Sequence, residues 1–348
     1  MAGHRRVLRA RVEVRPLSET IQRLLAGAGI HAPVLEVSPV AGGGNNKVFA
    51  VRTASEKLLA KHYFSDPADT RDRLRAEFAF LSYAHGIGVR CVPRPVACDA
   101  AAHVGLYEYV EGGKLGAGDV TREHVAQAAR FVLALNLSDR RAGARDLPPA
   151  SASGFSVEQH LARVEGRIGR LLALRGDSPA DGGAAALAGR LAGVLRELRA
   201  SLTLAGAAVG GELQHADRCV SPSDFGFHNA LLRAGGEVVF IDFEYAGWDD
   251  PAKLVCDFFA QPAVSVSLDH FEEFLRVALG YSGNADLLAE RARLLLPLVQ
   301  LEWCCILLNE FLPDAASRRR FADPELVHGV SRRRQLEKAQ VLFNSTLG

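Results

Sequence analysis

The chain has 348 residues, 48% of them apolar and 23% charged, a composition that excludes intrinsic disorder and gives length enough for one large or two modest domains. Lys plus Arg number 41 against 40 Asp plus Glu, and a net charge of +1 leaves no footprint for nucleic acid or for an anionic membrane. The six cysteines form no C-x-x-C pair and have no His at ligand spacing. Zinc is therefore not expected, and free thiols in a reducing cytoplasm are.

The stretch from Met1 to Arg15 lacks the apolar core of a signal peptide. Residues 17–29 read as a short helix. Three strands follow, starting at Val34, Lys47 and Lys57, with Gly42, Gly43 and Gly44 between the first two. Asp66, Pro67 and Asp69 supply helix-start chemistry for residues 68–86, where Leu74, Phe78 and Leu81 recur at helical spacing. Two more strands end at Asp99 and Val110. Gly112, Gly113, Gly116 and Gly118 then mark a change to helical patterning, over 121–137, 157–175 and 184–204, with an exposed loop over 176–184. The stretch 206–250 differs: it holds a hairpin signal at Ala234-Gly235-Gly236 and a short apolar strand from Val238 to Ile241. Helices resume over 268–280, 286–312 and 324–343. The apolar run Leu294 to Leu308 includes Pro297, Gln300 and Glu302 and reads as a core helix too short and too polar to span a bilayer. The expected fold class is α+β and bilobal: a small antiparallel-sheet lobe over 1–111, a hinge near 108–112, and a larger, mainly helical lobe over 112–348.

Phosphoryl transfer needs positive charge on the phosphates, a metal on their oxygens and a carboxylate to orient the attacking hydroxyl. Four stretches supply these parts in a workable order. Gly42-Gly43-Gly44 lets backbone N–H groups approach phosphate oxygens with no Cβ in the way, although no G-K-[ST] of a P-loop follows. Lys61 ends an apolar strand and can reach phosphates, with Glu77 sixteen residues on as its ion-pair partner. Asp224 and Asn229 are five apart, matching the base and metal-binding Asn of H-R-D-x-x-x-x-N. Asp242 follows the strand Val238 to Ile241, and with Asn229 it offers the hard oxygens that Mg²⁺ prefers.

In that order, over roughly 35–260, these stretches resemble the aminoglycoside phosphotransferase and choline kinase superfamily, a branch of the protein-kinase-like fold. Its H-G-D-x-x-x-x-N loop and I-D-[FW]-E strand end have counterparts in S-P-S-D-F-G-F-H-N and F-I-D-F-E. The resemblance implies an ATP-dependent (or other NTP-dependent), Mg²⁺-dependent kinase for a hydroxyl of a small polar metabolite: a sugar, amino sugar, aminoglycoside or nucleoside-like compound. It implies adenine contacts at Glu108 and Val110, in L-Y-E-Y-V-E-G. It also aligns Asn136 with a position where His is frequent. Pro222-Ser223 replaces the family's His-Gly, and Asp257 lies beyond the usual Pro-x-x-Asp spacing and is given no role. His228 is read as a loop residue bonding locally, and Arg318-Arg319-Arg320 and Arg332-Arg333-Arg334 as solvated faces. Glu302, Glu310 and Asp314 would suit a cationic amino sugar. The alternative, a nucleotide-binding pseudokinase acting as a regulator, rests on Pro222-Ser223 alone. A protein kinase is disfavoured because Asp242 runs into Asp250-Pro251 with no room for an activation segment.

Overall fold

The computed structural model describes residues 17–40, 45–66, 69, 71–137, 139–176, 178–206, 211–312, 321 and 328–347. Strands β1 (Val34–Pro39), β2 (Lys47–Thr53), β3 (Lys57–His62), β4 (Pro95–Asp99) and β5 (Val104–Glu108) form one sheet in the order β1-β2-β3-β5-β4, every pair antiparallel. Period-two alternation gives each strand two faces. Leu58 and Ala60 of β3 face helix α1 (residues 17–27), whose Leu17, Ile21 and Leu25 close a small core with Val51, Val104 and Leu106. Leu59 and Lys61 point the other way, into the cleft.

Helix α2 (Arg73–Gly86) covers that second side, and its Phe80, Leu81 and Ala84 belong to the large core of the helical lobe. It starts later than the predicted 68 because Asp72 is the N-cap, accepting from the Arg75 amide at 2.9 Å. Asp69 instead accepts from the Arg73 guanidinium at 2.6 Å.

The helical lobe contains α3 (Arg122–Asn136), α4 (Val157–Leu172), α5 (Pro179–Gly206), α6 (Pro251–Ala260), α7 (Phe271–Ala278), α8 (Ala285–Leu307) and α9 (His328–Thr346). Helix α5 begins five residues before the predicted 184, inside the expected loop. Pro179 suits a first helical turn, where its missing N–H costs nothing, and Asp181 and Ser178 bond each other there at 2.6 Å. Residues 324–327 of the last predicted helix and Arg318-Arg319-Arg320 lie outside the described residues. Arg333 and Arg334 are exposed as expected, but Arg332 is half-buried, with its guanidinium 5.6 Å from the Phe311 ring.

Helix α8 corrects another expectation. With the 3₁₀ turn that follows, it runs unbroken from Ala285 to Phe311, long and apolar enough by length and composition to cross a membrane. Helices α4, α5, α6 and α9 pack around it, and 61% of the apolar stretch is buried within the protein. Its Arg291 is fully buried, which only a paired guanidinium tolerates. Arg291 Nε donates to Asp250 Oδ2 at 2.8 Å, and His160 Nε2 lies 2.9 Å from the same oxygen.

Two short antiparallel pairs sit between α3 and α6: β6 (Cys219–Ser221) with β9 (Gly247–Asp249), and β7 (Ala230–Leu232) with β8 (Val238–Phe240). Their loops are anchored by phenylalanines. Phe131 of α3 stacks on Phe240 at 4.8 Å, and Phe225 and Phe227 pack on Phe258 of α6.

The buried Asp250 group sets an acid sensitivity. Arg163 Nη2 lies 2.8 Å from His160 Nδ1 and can only donate, so His160 is the neutral Nε2–H tautomer that donates to Asp250. Burial holds His160 below its ordinary pKa, outweighing Asp250. An unfolded His takes up a proton near pH ~6.5 and the folded one resists, so stability falls as pH drops below that value. Burial opposes the Asp250 carboxylate, but His160 and Arg291 outweigh it and hold the group at about 2. Its contribution is present above the unfolded value of about 3.9 and is lost as pH falls towards 2. Thermal melts from pH 7 to 4 should show a falling Tm, and His160→Gln should flatten the part of that slope between about pH 6.5 and 5. An unchanged slope in the variant would remove His160 as its source.

Candidate active site

Lys61 is 7% exposed, yet it is held as an ammonium. Burial disfavours its charge, but the carboxylates of Asp242 and Glu77 reverse the effect and raise its pKa. Its Nζ lies 2.7 and 3.0 Å from the two Glu77 oxygens and 2.8 Å from Asp242 Oδ1. Glu77 also accepts from Tyr63 Oη at 2.6 Å, and Tyr63 Oη lies 2.8 Å from Tyr107 Oη. Strand β3, helix α2, strand β5 and the turn after β8 are thus joined by one chain of polar contacts.

Asp242 has φ +70°, a left-handed conformation that Asp tolerates better than most residues. Its side chain is 41% exposed into a cavity of about 450 Å³ lined also by Lys61, Glu77, Asn229 and the 108–110 segment. Asn229 and Asp242 flank a backbone bond, Ile241 N–H to Asn229 C=O at 2.9 Å, which fixes their separation. Among the described residues no group of three or more His, Cys, Asp and Glu could hold a metal. An Asn–Asp pair leaves the remaining positions for water and phosphate oxygens, as Mg²⁺ ordinarily does.

At 108–110, Glu108 N–H donates to Arg94 C=O at 2.8 Å, whereas Val110 N–H makes no hydrogen bond among the described residues. The chain then turns at Gly112, where a Cβ would meet Leu231 Cβ and Leu232 O at 3.0 Å. Gly113 pairs with Leu232 in both directions. Gly42, Gly43 and Gly44 lie outside the described residues. The asparagines that follow them are tied down: Asn45 Nδ2 and Asn46 Nδ2 donate to the two oxygens of Glu244 at 2.8 and 2.7 Å.

Asp224 lines a second cavity, of about 520 Å³, and the two cavities share Asn45 and His228 in their walls. Its side chain is 35% exposed. Burial works to raise its pKa, but His228, whose Nε2 is 3.1 Å from Oδ1, Asn229, whose Nδ2 is 3.2 Å from Oδ2, and Lys253 outweigh that and leave it below the usual carboxylate range.

Much of the rest of this wall comes from α4, α6, α8 and α9. Asp257 is part of it. It accepts from Lys253 Nζ at 2.8 Å and from Trp303 Nε1 at 3.0 Å. Asp249, also bonded to Lys253 at 3.0 Å, is raised to about 6 by burial, with Lys253 opposing. Glu302 was expected as a group open to a cationic acceptor, but it is buried and engaged. Arg163 reaches both its oxygens at 2.9 Å and Arg167 Nε reaches Oε1 at 2.9 Å, and these charges overcome burial to hold it at about 2. Glu310 is buried too, accepting from Ser331 Oγ at 2.9 Å, and Asp314 lies outside the described residues.

A model of the phosphotransferase enzyme family matches residues 36–259. The chain belongs to the phosphotransferase enzyme family. It is a small-molecule kinase, an enzyme that phosphorylates an alcohol group. No curated protein matches the sequence. Among solved structures it is similar to a spectinomycin phosphotransferase in complex with ADP and spectinomycin, with a TM-score of 0.61 at 12% identity over 94% of this chain and 98% of that one. It is also similar to an ethanolamine kinase from Plasmodium vivax (TM-score 0.56, 13% identity, 90% and 83% covered) and to the choline kinase LicA from Streptococcus pneumoniae (0.53, 15%, 93% and 99%). At these identities the likeness shows a shared bilobal, protein-kinase-like fold.

This phosphotransferase brings Lys61, Glu77, Asn229 and Asp242 to one cavity and Asp224 to its neighbour. Sequence reasoning gave no role to Tyr63, Lys114, Glu244 or Lys253. Lys114 lines the first cavity and donates to His228 C=O at 2.9 Å. A lysine in a glycine-rich hinge of a lysine-poor chain was the available signal for it. The structure also accounts for Pro222-Ser223. Ser223 has φ +67°, the conformation that favours the family's glycine. Asn136, where His is frequent, bonds the preceding strand from both ends of its amide: Nδ2 to Val220 C=O at 3.0 Å, and Val220 N–H to Oδ1 at 2.7 Å. Asn136 thus holds strand β6, from which the Pro222-Ser223 loop departs. Ser223→Gly should stay within about 1 kcal/mol of wild type, whereas Ser223→Val should lose about 1–3 kcal/mol, since β-branched residues resist positive φ. Urea midpoints at unchanged m measure both, and a neutral Ser223→Val would show that the loop is not strained.

Proposed function

We propose that this phosphotransferase uses ATP, or another NTP, with Mg²⁺ to phosphorylate a hydroxyl of a small polar metabolite in the cytoplasm. The observation that carries the reading is the placement of Lys61 between Glu77 and Asp242 in one cavity, with Asp224 in the cavity that adjoins it. The lobe boundary is proposed at 111/112, where the chain leaves β5 and pairs through Gly113 with β7. The Gly42-Gly43-Gly44 loop is proposed to cover the phosphates, with Asn45 and Asn46 as its anchored end. The adenine would meet the backbone of Glu108 and Val110.

Asn229 and Asp242 fit a magnesium ion because both line the same cavity, both carry a hard oxygen and Asp242 is partly exposed there. The ion would neutralise phosphate charge. Lys61, kept charged by Glu77, would hold the α- and β-phosphates. Asp224 would accept the hydroxyl hydrogen bond, aim the oxygen at the γ-phosphorus and take the proton as the new P–O bond forms and the bridging bond breaks. His228 and Asn229 would hold that carboxylate in position.

Once an ATP-consumption screen of hydroxyl compounds supplies an acceptor, Asp224→Asn should lower turnover at least ~100-fold and leave ADP affinity nearly intact. Lys61→Ala should chiefly weaken productive ATP binding. Because Asp224 lies below the ordinary range, its acid limb in kcat/KM should fall below pH ~3.9, and His228→Asn should move that limb upward. Equal turnover in wild type and Asp224→Asn would remove Asp224 as the base.

A further inference from the structure

The part of the second cavity that α4 supplies is basic. Arg163, Arg167 and Arg170 lie at i, i+4 and i+7 of α4, on one helix face, and Arg167 and Arg170 line the cavity. The stripe meets a single carboxylate, Glu302, which Arg163 and Arg167 already share. Arg167 spends only its Nε there, so both its terminal nitrogens remain. Arg170 is exposed and makes no hydrogen bond or ion pair among the described residues. Gln335 of α9 also lines the cavity, and its Oε1 is buried without a hydrogen-bond partner.

Two of the carboxylates that could receive a cation are engaged. Asp257 is bonded through both oxygens by Lys253 and Trp303, and Glu302 through both by the arginines. An aromatic cage for an ammonium group needs open ring faces. The Tyr245 ring already has the guanidinium carbons of Arg71 and Arg73 each 5.8 Å from its centre.

We propose that the acceptor of this kinase carries a carboxylate or phosphate group, which docks on Arg167 and Arg170 while its hydroxyl faces Asp224. The inference rests on the reading of this cavity as the acceptor's. Two guanidiniums one turn apart present forked donors that match a carboxylate or a phosphate, and charge-assisted bonds of this kind are about twice as strong as neutral ones. The acceptor class is thus hydroxy acids, sugar acids or sugar phosphates, and Gln335 is left to meet a further hydroxyl.

The test keeps the first cavity filled with Mg·ADP and follows Tm while adding 6-phosphogluconate, gluconate, glucosamine or inorganic phosphate, each to about 10 mM, enough to reveal a millimolar Kd. Either or both sugar acids should stabilise the wild type, which tells carboxylate from phosphate, and Arg170→Gln should abolish most of that shift without altering the shift given by Mg·ADP. In the turnover screen, anionic hydroxyl compounds should lead. Arg170→Gln should raise their KM about tenfold, the equivalent of ~1.4 kcal/mol, with kcat changed less than about twofold. A larger shift with glucosamine, no shift with either acid, an equal shift with inorganic phosphate, or an unaltered shift in Arg170→Gln would each overturn the inference. Failure of the kinase reading shows separately, as the absence of any stabilisation by Mg·ADP.

Discussion

A buried ammonium that cannot be left unpaired organises this protein. Lys61 sits where strand alternation turns it away from the small core under α1 and into the cleft, and removing it from water is tolerable only with anionic partners. Glu77 reaches it from α2 and Asp242 from the turn after β8, so elements 181 residues apart in the chain are drawn to one atom. Tyr63 and Tyr107 extend the contact into the sheet. Each partner is fixed by something else in turn: Glu77 by its helix, Asp242 by a left-handed backbone, Tyr107 by β5. The geometry of the cleft follows from satisfying that one charge.

Much of this was legible in the sequence because the signals are local. Five strands could be read from alternation and turn residues, and all five occur. Lys61 and Glu77 were paired by their order after the glycine run, and they meet. The spacing of Asp224, Asn229 and Asp242 put the three on one short stretch, and the structure brings all of them to adjoining cavities. The helix boundaries that went astray did so for local reasons as well. Asp72 outcompeted Asp66 and Asp69 as a cap, and Pro179 opened a helix where a loop was expected.

What could not be read was mostly long-range. Asn46 and Glu244 are 198 residues apart and bond at 2.7 Å, a contact that no spacing rule reaches. Glu302 looked like an open acidic group because nothing in the sequence says that Arg163 and Arg167, on another helix, face it. The reading of α8 as too short and too polar to span a bilayer did not hold, whereas its reading as a core helix did. The helix is long and apolar enough to span a bilayer, and only the four helices packed around it assign it to the core. Pro222-Ser223 in place of His-Gly could not be judged from the sequence, because the bonds of Asn136 to Val220 before that loop span 84 residues.

The two cavities are built from different parts of the chain. One is walled by the sheet, the 108–110 segment and the short hairpin, and the other largely by α4, α6, α8 and α9; among the described residues Asn45 and His228 alone border both. On the proposed reading, substitutions along the exposed turns of α4 and the last turns of α8 can redraw what the enzyme accepts while the phosphate-handling residues stay in place. Selection can therefore retune one half of the reaction without renegotiating the other. A fold divided in this way is suited to diversify its substrates through few changes, and its specificity should drift faster than its chemistry.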